Sequence, residues 1–310
     1  MHLTDFCPPA VAVTATKRRD GRPCGIRGMR HGLFGLAFAG LISCSAAVAA
    51  NSAENVIWKR MEDVHDRDAV KQFKNDFYLR KDTLEQYLTS SNFTKLFSGN
   101  FQVEVFENDQ PHSEALLFVW DGNRGHMYFP PKGVKNRNAA ILHEIAHVHA
   151  PNAVRFLAEG FPAYLEEMMG NIDAYPAQGS RLECAVGDYS NEYKKALEAV
   201  KLELFDRAPT KREVFLGDHM GLEDAFAADR VEGVGRRRTY SYLVSASFVK
   251  FLIYNHGQSQ FKALYDSTPL IPMQTKQADQ DRYRRIYGKS LSELQTGWRS
   301  WLSNRQANCL

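Results

Sequence analysis

Beyond residue 50 the 310-residue chain has little cysteine, no long apolar run and almost no net charge. Of its five cysteines only Cys184 and Cys309 lie past that point, which excludes a disulfide-rich framework and leaves room for one intramolecular bond. Free thiols and a disulfide both stay open, because spacing along the chain says nothing of their separation in space. Of the 39 basic and 36 acidic residues, six and two fall in residues 1–50, leaving 33 and 34 and a formal charge of −1. The apparent basicity therefore belongs to the amino-terminal segment. Nucleic acid is not an expected partner: Arg236-Arg237-Arg238 reads as a solvated loop, with no basic surface interleaved with aromatics and no nucleic-acid motif beside it. The chain also lacks internal repeats and low-complexity tracts, and its length suits one large domain or two smaller ones.

The first fifty residues contain the one extended apolar stretch. Met29-Arg30-His31 leads into "GLFGLAFAGLISCSAAVAA", a short basic start, an apolar run and small residues ending at Ala47-Val48-Ala49, the order of a secretory signal peptide. The residues before Met29 read either as a long basic extension or as a segment upstream of the true start at Met29. Cleavage near Ala49 or Ala50 predicts a periplasmic or secreted protein. Cleavage before Cys44, where "LISC" resembles the lipobox of bacterial lipoproteins, predicts a lipid anchor on the cell envelope. An uncleaved membrane anchor is disfavoured, since the 18 residues from Leu33 to Ala50 barely reach spanning length and the second half is made of small residues.

Past the leader, a charged helical pattern is expected from Ala53 to about Leu96, with Leu84, Tyr87 and Leu88 at helical spacing. "FQVEVFEN" alternates as a half-buried strand; "ALLFVW" and "HMYFP" read as two more, joined by a turn containing Asp121-Gly122 and Gly125. Pro130 to Gly133 closes this segment, and Asn136 or Asn138 is the expected cap of the next helix. Phe161, Tyr164, Leu165, Met168 and Met169 share a helix face that Gly170 ends. Further helices are expected around 191–205, 240–256, 259–266 and 290–303, the last opened by a Ser290–Glu293 capping box, with "AYPAQGS" and "EGVGRRR" as loops.

The chemistry is concentrated in "ILHEIAHVHA", residues 141–150. His143 and His147, four apart, share one helix face and can share a metal ion, while Glu144 projects beside them as a base. This H-E-x-x-H arrangement would arise by chance about 0.02 times in a chain of this composition, so the decision rests on the third ligand. A glycine and a histidine at the following three-residue steps would mark a metzincin, but those positions are Ala150 and Ala153. An upstream cysteine, the peptide deformylase ligand, is missing from residues 51–142. His149 points to another side of the helix and reads as a polar or supporting histidine.

A third ligand is available in "FLAEGFPAYLEE". There the chain resembles the gluzincin zinc metallopeptidases, most closely the peptidase-MA-like and aminopeptidase-N-like groups, whose third-ligand helix begins EG-F-A-x-Y-x-E. Glu159, Gly160, Phe161, Tyr164 and Glu166 match it position by position; Pro162 departs from it, which suits a helix beginning around 157–161. The likeness covers residues 139–167 closely, with a looser echo from Tyr240 to Trp301.

The resemblance implies an α+β fold, a thermolysin-like zincin with a small mixed sheet and active-site helix followed by a mostly helical lobe. Residues 1–50 would be the leader, 51–170 the lobe carrying the zinc motif, and 171–310 the helical lobe. It implies Zn²⁺ held by His143, His147 and Glu159, with Glu144 as general base for hydrolysis of a peptide or protein substrate. Tyr240 or Tyr242 would hydrogen-bond the oxyanion, and Glu166 would either steady a ligating histidine or face solvent. Aminopeptidases of the group carry G-x-M-E-N upstream; "GHMYF" has Tyr128 and Phe129 at the diagnostic positions, so an aminopeptidase is not expected. The competing expectation is a non-catalytic zincin-fold binding or scaffold protein of the cell envelope.

Overall fold

Alternation of apolar residues builds the sheet that carries the site. In the computed structural model, which describes residues 56–93, 99–107, 113–118, 124–152, 154–170, 179–188, 234–268, 281–306 and 308–309, four strands form one mixed sheet. β1 (Val56–Lys59) pairs in parallel with β2 (Phe101–Val105), β2 in parallel with β4 (Arg124–Phe129), and β3 (Glu114–Phe118) lies antiparallel to β4 at the edge. The register sets Val103 against Met127 and Val105 against Phe129, so the buried residues of neighbouring strands share a face. Together with the helices, this makes the fold α+β.

The expected helix from Ala53 is corrected at its start. Val56 to Lys59 is a strand, followed by a 3₁₀ turn (Met61–Val64) bounded by Arg60 and His65, both in the left-handed region. A parallel β1–β2 pair needs a crossover, and α1 (Arg67–Ser90) supplies it. Asp66 caps α1 by accepting from the Ala69 N–H at 2.9 Å. Its buried stripe of Ala69, Phe73, Phe77, Leu84 and Leu88 packs on the sheet, with Phe73 edge-on to Phe129 and Phe77 edge-on to Phe101.

The β segment closes after Phe129, as expected, but two local readings need correcting before the site: the cap of the next helix and the place of Gly125. Pro130 to Gly133 opens a short helix, α2 (Pro131–Lys135), whose missing N–H falls at a position that has no helical partner anyway. Asn136 ends α2, so neither it nor Asn138 caps the next helix, α3 (Ile141–His149), whose N-cap is Ala140. Gly125, expected in the hairpin turn, sits inside β4 instead. A Cβ there would collide with Val148 of α3, so the glycine lets the helix lie directly on the strand.

The remaining described helices are α4 (Arg155–Met168), α5 (Leu182–Asp188), α6 (Val234–His256), α7 (Gln258–Asp266), α8 (Arg282–Tyr287) and α9 (Leu291–Gln306). α4 ends where Gly170 takes φ +77, as expected. It begins at Arg155, however, so Pro162 is interior rather than in the first turn, leaving the Ala158 carbonyl without its usual i+4 donor. α6 starts at Val234, so the part of "EGVGRRR" from that residue on is helical rather than loop. α5 and α8 were not anticipated. The expected helix at 191–205, the Asp121-Gly122 turn and residues 174–178 lie outside the described residues. Ser290 and Glu293 form the capping box, with Glu293 N–H donating to Ser290 Oγ at 3.2 Å and Ser290 N–H to Glu293 Oε2 at 2.7 Å.

α6 packs on α4, α5, α7 and α9, so it joins the later helices to α4. Cys184 on α5 and Cys309 after α9 form a disulfide, with Cα atoms 5.4 Å apart. Among the described residues no helix is long and apolar enough to cross a membrane.

Candidate metal centre

α3 is apolar on most of its surface, and Leu142, Ile145, Ala146 and Val148 are all 1% exposed or less. Burial of this kind fixes where its polar residues can point. His143 and His147, one turn apart, bring their rings to 4.6 Å between centroids. The α3–α4 connection is short, and α4 returns alongside α3 so that Glu159 faces both rings. Glu159 Oε2 lies 3.2 Å from His143 Nε2 and 3.3 Å from His147 Nε2.

The three potential ligand atoms all fall within 4.8 Å of one another. Zinc bonds of about 2.0–2.1 Å at tetrahedral angles separate ligand atoms by about 3.3–3.4 Å, close to both Glu159–histidine distances. Two imidazoles and a carboxylate are also the donor types that zinc accepts with one position left for water. The residues present therefore fit the ion. Burial holds the His143 imidazole below its ordinary pKa, against the opposing pull of its hydrogen bond to Glu159. A ring kept neutral this way has a lone pair to offer at neutral pH.

Glu144 is buried at 4% exposure, next to His143 in the chain. Tyr242 of α6 is 9% exposed with its ring centroid 5.8 Å from that of His143, so the structure brings one of the two candidate tyrosines to the site. Tyr240 belongs to the same helix, but its side chain lies outside the described residues. His147 is the most exposed of the three clustered residues, with a fifth of its side chain accessible.

Supporting contacts surround the cluster, and their partners were not legible in the sequence even where a supporting role was expected, as for Glu166 and His149. Glu166 is not the solvent-facing carboxylate that one reading allowed: it is 2% exposed, and its Oε1 accepts the His143 backbone N–H at 2.9 Å. His149 pairs with Glu85 of α1 at 3.0 Å, and Glu85 with Lys81 at 2.8 Å, which ties the end of α3 to the crossover helix. Asn152 organises the loop before α4, its Oδ1 accepting the Val154 N–H at 2.9 Å while its amide donates to the Tyr265 carbonyl at 3.2 Å and to Thr268 Oγ1. Tyr265 completes the clamp by donating to the Ala150 carbonyl at 2.6 Å. Burial raises the Tyr265 phenol's pKa, with Glu159 and Asp266 adding to the shift, so it remains a donor. Lys250 also left a sequence signal, a lone cation inside the apolar run "LVSASFVKFLIY"; it bridges Glu167 of α4 at 2.9 Å and Glu183 of α5.

Comparison of the chain with protein-family models, curated proteins and solved structures finds no match.

Proposed function

We propose that this chain is an exported zinc-dependent metallopeptidase of the gluzincin kind, with a thermolysin-like arrangement of its catalytic part. The observation that carries the reading is the convergence of His143 Nε2, His147 Nε2 and Glu159 Oε2 within 4.8 Å, from a motif helix and the helix after it. Zinc, when bound, supplies a Lewis acid that brings the pKa of a water toward neutrality and polarises a substrate carbonyl. The chain's own residues do the rest. Glu144 takes a proton from the attacking water and delivers it to the leaving amine. Tyr242, beside His143, donates a hydrogen bond to the carbonyl oxygen as negative charge grows on it; Tyr240 is the alternative for that role. The substrate is a peptide or protein.

The disulfide between Cys184 and Cys309 supports export, because such bonds persist in oxidising compartments. Within that reading the mature chain is periplasmic or secreted, or held at the envelope by a lipid on Cys44. A second reading, a non-catalytic binding or scaffold protein with the same metal site, is favoured by the low exposure of Glu144 and Glu159, at 4% and 2%.

Metal analysis of wild type, Glu144→Gln and Glu159→Ala, with a peptide-library digest, separates the two. The peptidase reading expects zinc in wild type and Glu144→Gln, cleavage by wild type alone, and zinc lost from Glu159→Ala. Zinc without Glu144-dependent cleavage supports the scaffold, and a metal-free wild type overturns both.

A further inference from the structure

The first turn of α3 leaves a problem that its own sequence does not solve. The earliest α-helical bond of α3 runs from the Glu144 N–H to the Ala140 carbonyl, so the N–H groups before it have no helical acceptor. Ala140 sits at the N-cap and has no side chain to accept one. The His143 N–H is one of these groups, it is buried, and the acceptor it finds is Glu166 on α4, 23 residues away. A carboxylate at this end of the helix is also favoured by the helix dipole.

Glu166 follows Glu159 by seven residues, two turns along the same helix face. One carboxylate meets the His143 ring at Nε2, and the other meets the main chain of the same residue. His143 is thus gripped by α4 at both ends. His143 Nδ1 has no hydrogen-bond partner among the described residues, so the ring is not steadied from its far nitrogen, where metal-binding histidines are usually held. The other end of α3 is anchored elsewhere, through Val148 against Gly125 and through His149 to Glu85. Losing the Glu166 contact would release His143 while leaving His147 in place.

We propose that Glu166 is a positioning residue for the metal centre: it sets His143 relative to Glu159 and His147 by capping the first turn of α3 from α4. The inference rests on the metal reading above and gives the expected support from Glu166 a definite form, a cap on the main chain of His143 rather than a contact with its ring.

The test uses the full chain and measures zinc affinity by chelator competition, the visible spectrum of the Co²⁺ form, and amide exchange in the metal-free protein. Glu166→Ala is expected to weaken zinc binding roughly tenfold to a hundredfold, the usual range for a lost supporting contact, and to alter the Co²⁺ bands. Glu166→Gln keeps a carbonyl acceptor and should recover most of the affinity. Amides in the first turn of α3 should exchange faster in the metal-free Ala variant. Leu294→Ala, a buried deletion on α9, serves as the control and should lower the melting temperature while leaving affinity and spectrum unchanged. Wild-type affinity, spectrum and exchange in Glu166→Ala would overturn the inference alone, as would an affinity loss in Leu294→Ala that tracks its stability loss. If Glu166→Ala fails to fold, Glu166→Gln is compared with wild type by the same exchange measurement, and protection lost there would also overturn it. A wild-type chain that binds neither zinc nor Co²⁺ overturns the metal reading, while the exchange result still tests the cap.

Discussion

Replacing Gly160 with alanine should cost stability even though it puts the best helix former in place of a poor one. Gly160 lies inside α4, where glycine is about 1 kcal/mol worse than alanine on propensity alone. On that ground the substitution would stabilise. The opposing effect comes from α6: a Cβ on Gly160 would stand 2.7 Å from both the carbonyl carbon and the oxygen of Ser245 and 3.0 Å from its Cβ. Ordinary contact begins near 3.4 Å, so the helices must separate by about 0.7 Å, and the obstacle is backbone that cannot rotate away. Overpacking of this kind costs typically 1–3 kcal/mol, which leaves a net loss of about 0–2 kcal/mol after the propensity gain. Because α4 and α6 meet along a fully buried seam, we expect the upper part of that range, a fall of roughly 4–8 °C in melting temperature at about 2–4 °C per kcal/mol for a chain of this size. The neighbouring residue is Glu159, so the shift should also weaken zinc binding. Thermal melts with and without zinc, together with chelator competition, read both effects. A variant melting at or above the wild-type temperature would mean that propensity won and that the two helices do not approach as closely as the geometry states.

The disulfide closes a span of 125 residues, for which loop-closure entropy gives about 5 kcal/mol as an upper estimate. Cys184→Ser with Cys309→Ser should therefore lower the denaturant midpoint strongly, and an unchanged midpoint in the double variant would refute the assignment. In the metal-free chain, burial lowers the pKa of both His143 and His256, so below the unfolded value of 6.5 the unfolded state binds protons that the folded state does not. Stability contributed by these neutral rings is present above pH 6.5 and falls with acidification below it. Glu183, held below its ordinary range by Lys250 against the cost of burial, adds a second loss as pH falls through and below 4.5. Melting temperatures across pH 7.5 to 4 check this, and a flat profile between pH 7 and 5.5 would contradict it.

What could be read in advance was what repeats or clusters locally. The alternation of Phe101, Val103 and Val105 marks a strand, though Gln102 is buried too, so it is covered on both faces rather than half-buried; the i, i+4 placement of His143 and His147 puts both rings on one face. β1 was missed because four residues with one tryptophan carry too little periodicity, and its strand character comes from pairing with β2 across the α1 crossover. Pro162 was misplaced for a related reason. Proline's local preference is for a first turn, and only packing against α6 and α3 holds a fourteen-residue helix through it. Gly125 read as a turn residue because a turn explains a glycine by itself, whereas its actual reason, Val148, is 23 residues away.

The same distinction separates the candidate ligands from their supports. His143, His147 and Glu159 needed only a motif and a short return to be proposed together. The groups that hold them in place come from all over the chain: Glu166 on the His143 main chain, Glu85 on His149, and Tyr265 and Thr268 on the loop between the two helices. That loop joins α3 to α4, and its Ala150 and Asn152 contacts reach 115 and 116 residues along the chain, to Tyr265 in α7 and Thr268 just past it. The short connection between His147 and Glu159 is therefore held by contacts from outside the motif as well. The clamp from Tyr265 and Thr268 gives residues beyond 170 a share in the candidate site even where they supply no candidate ligand.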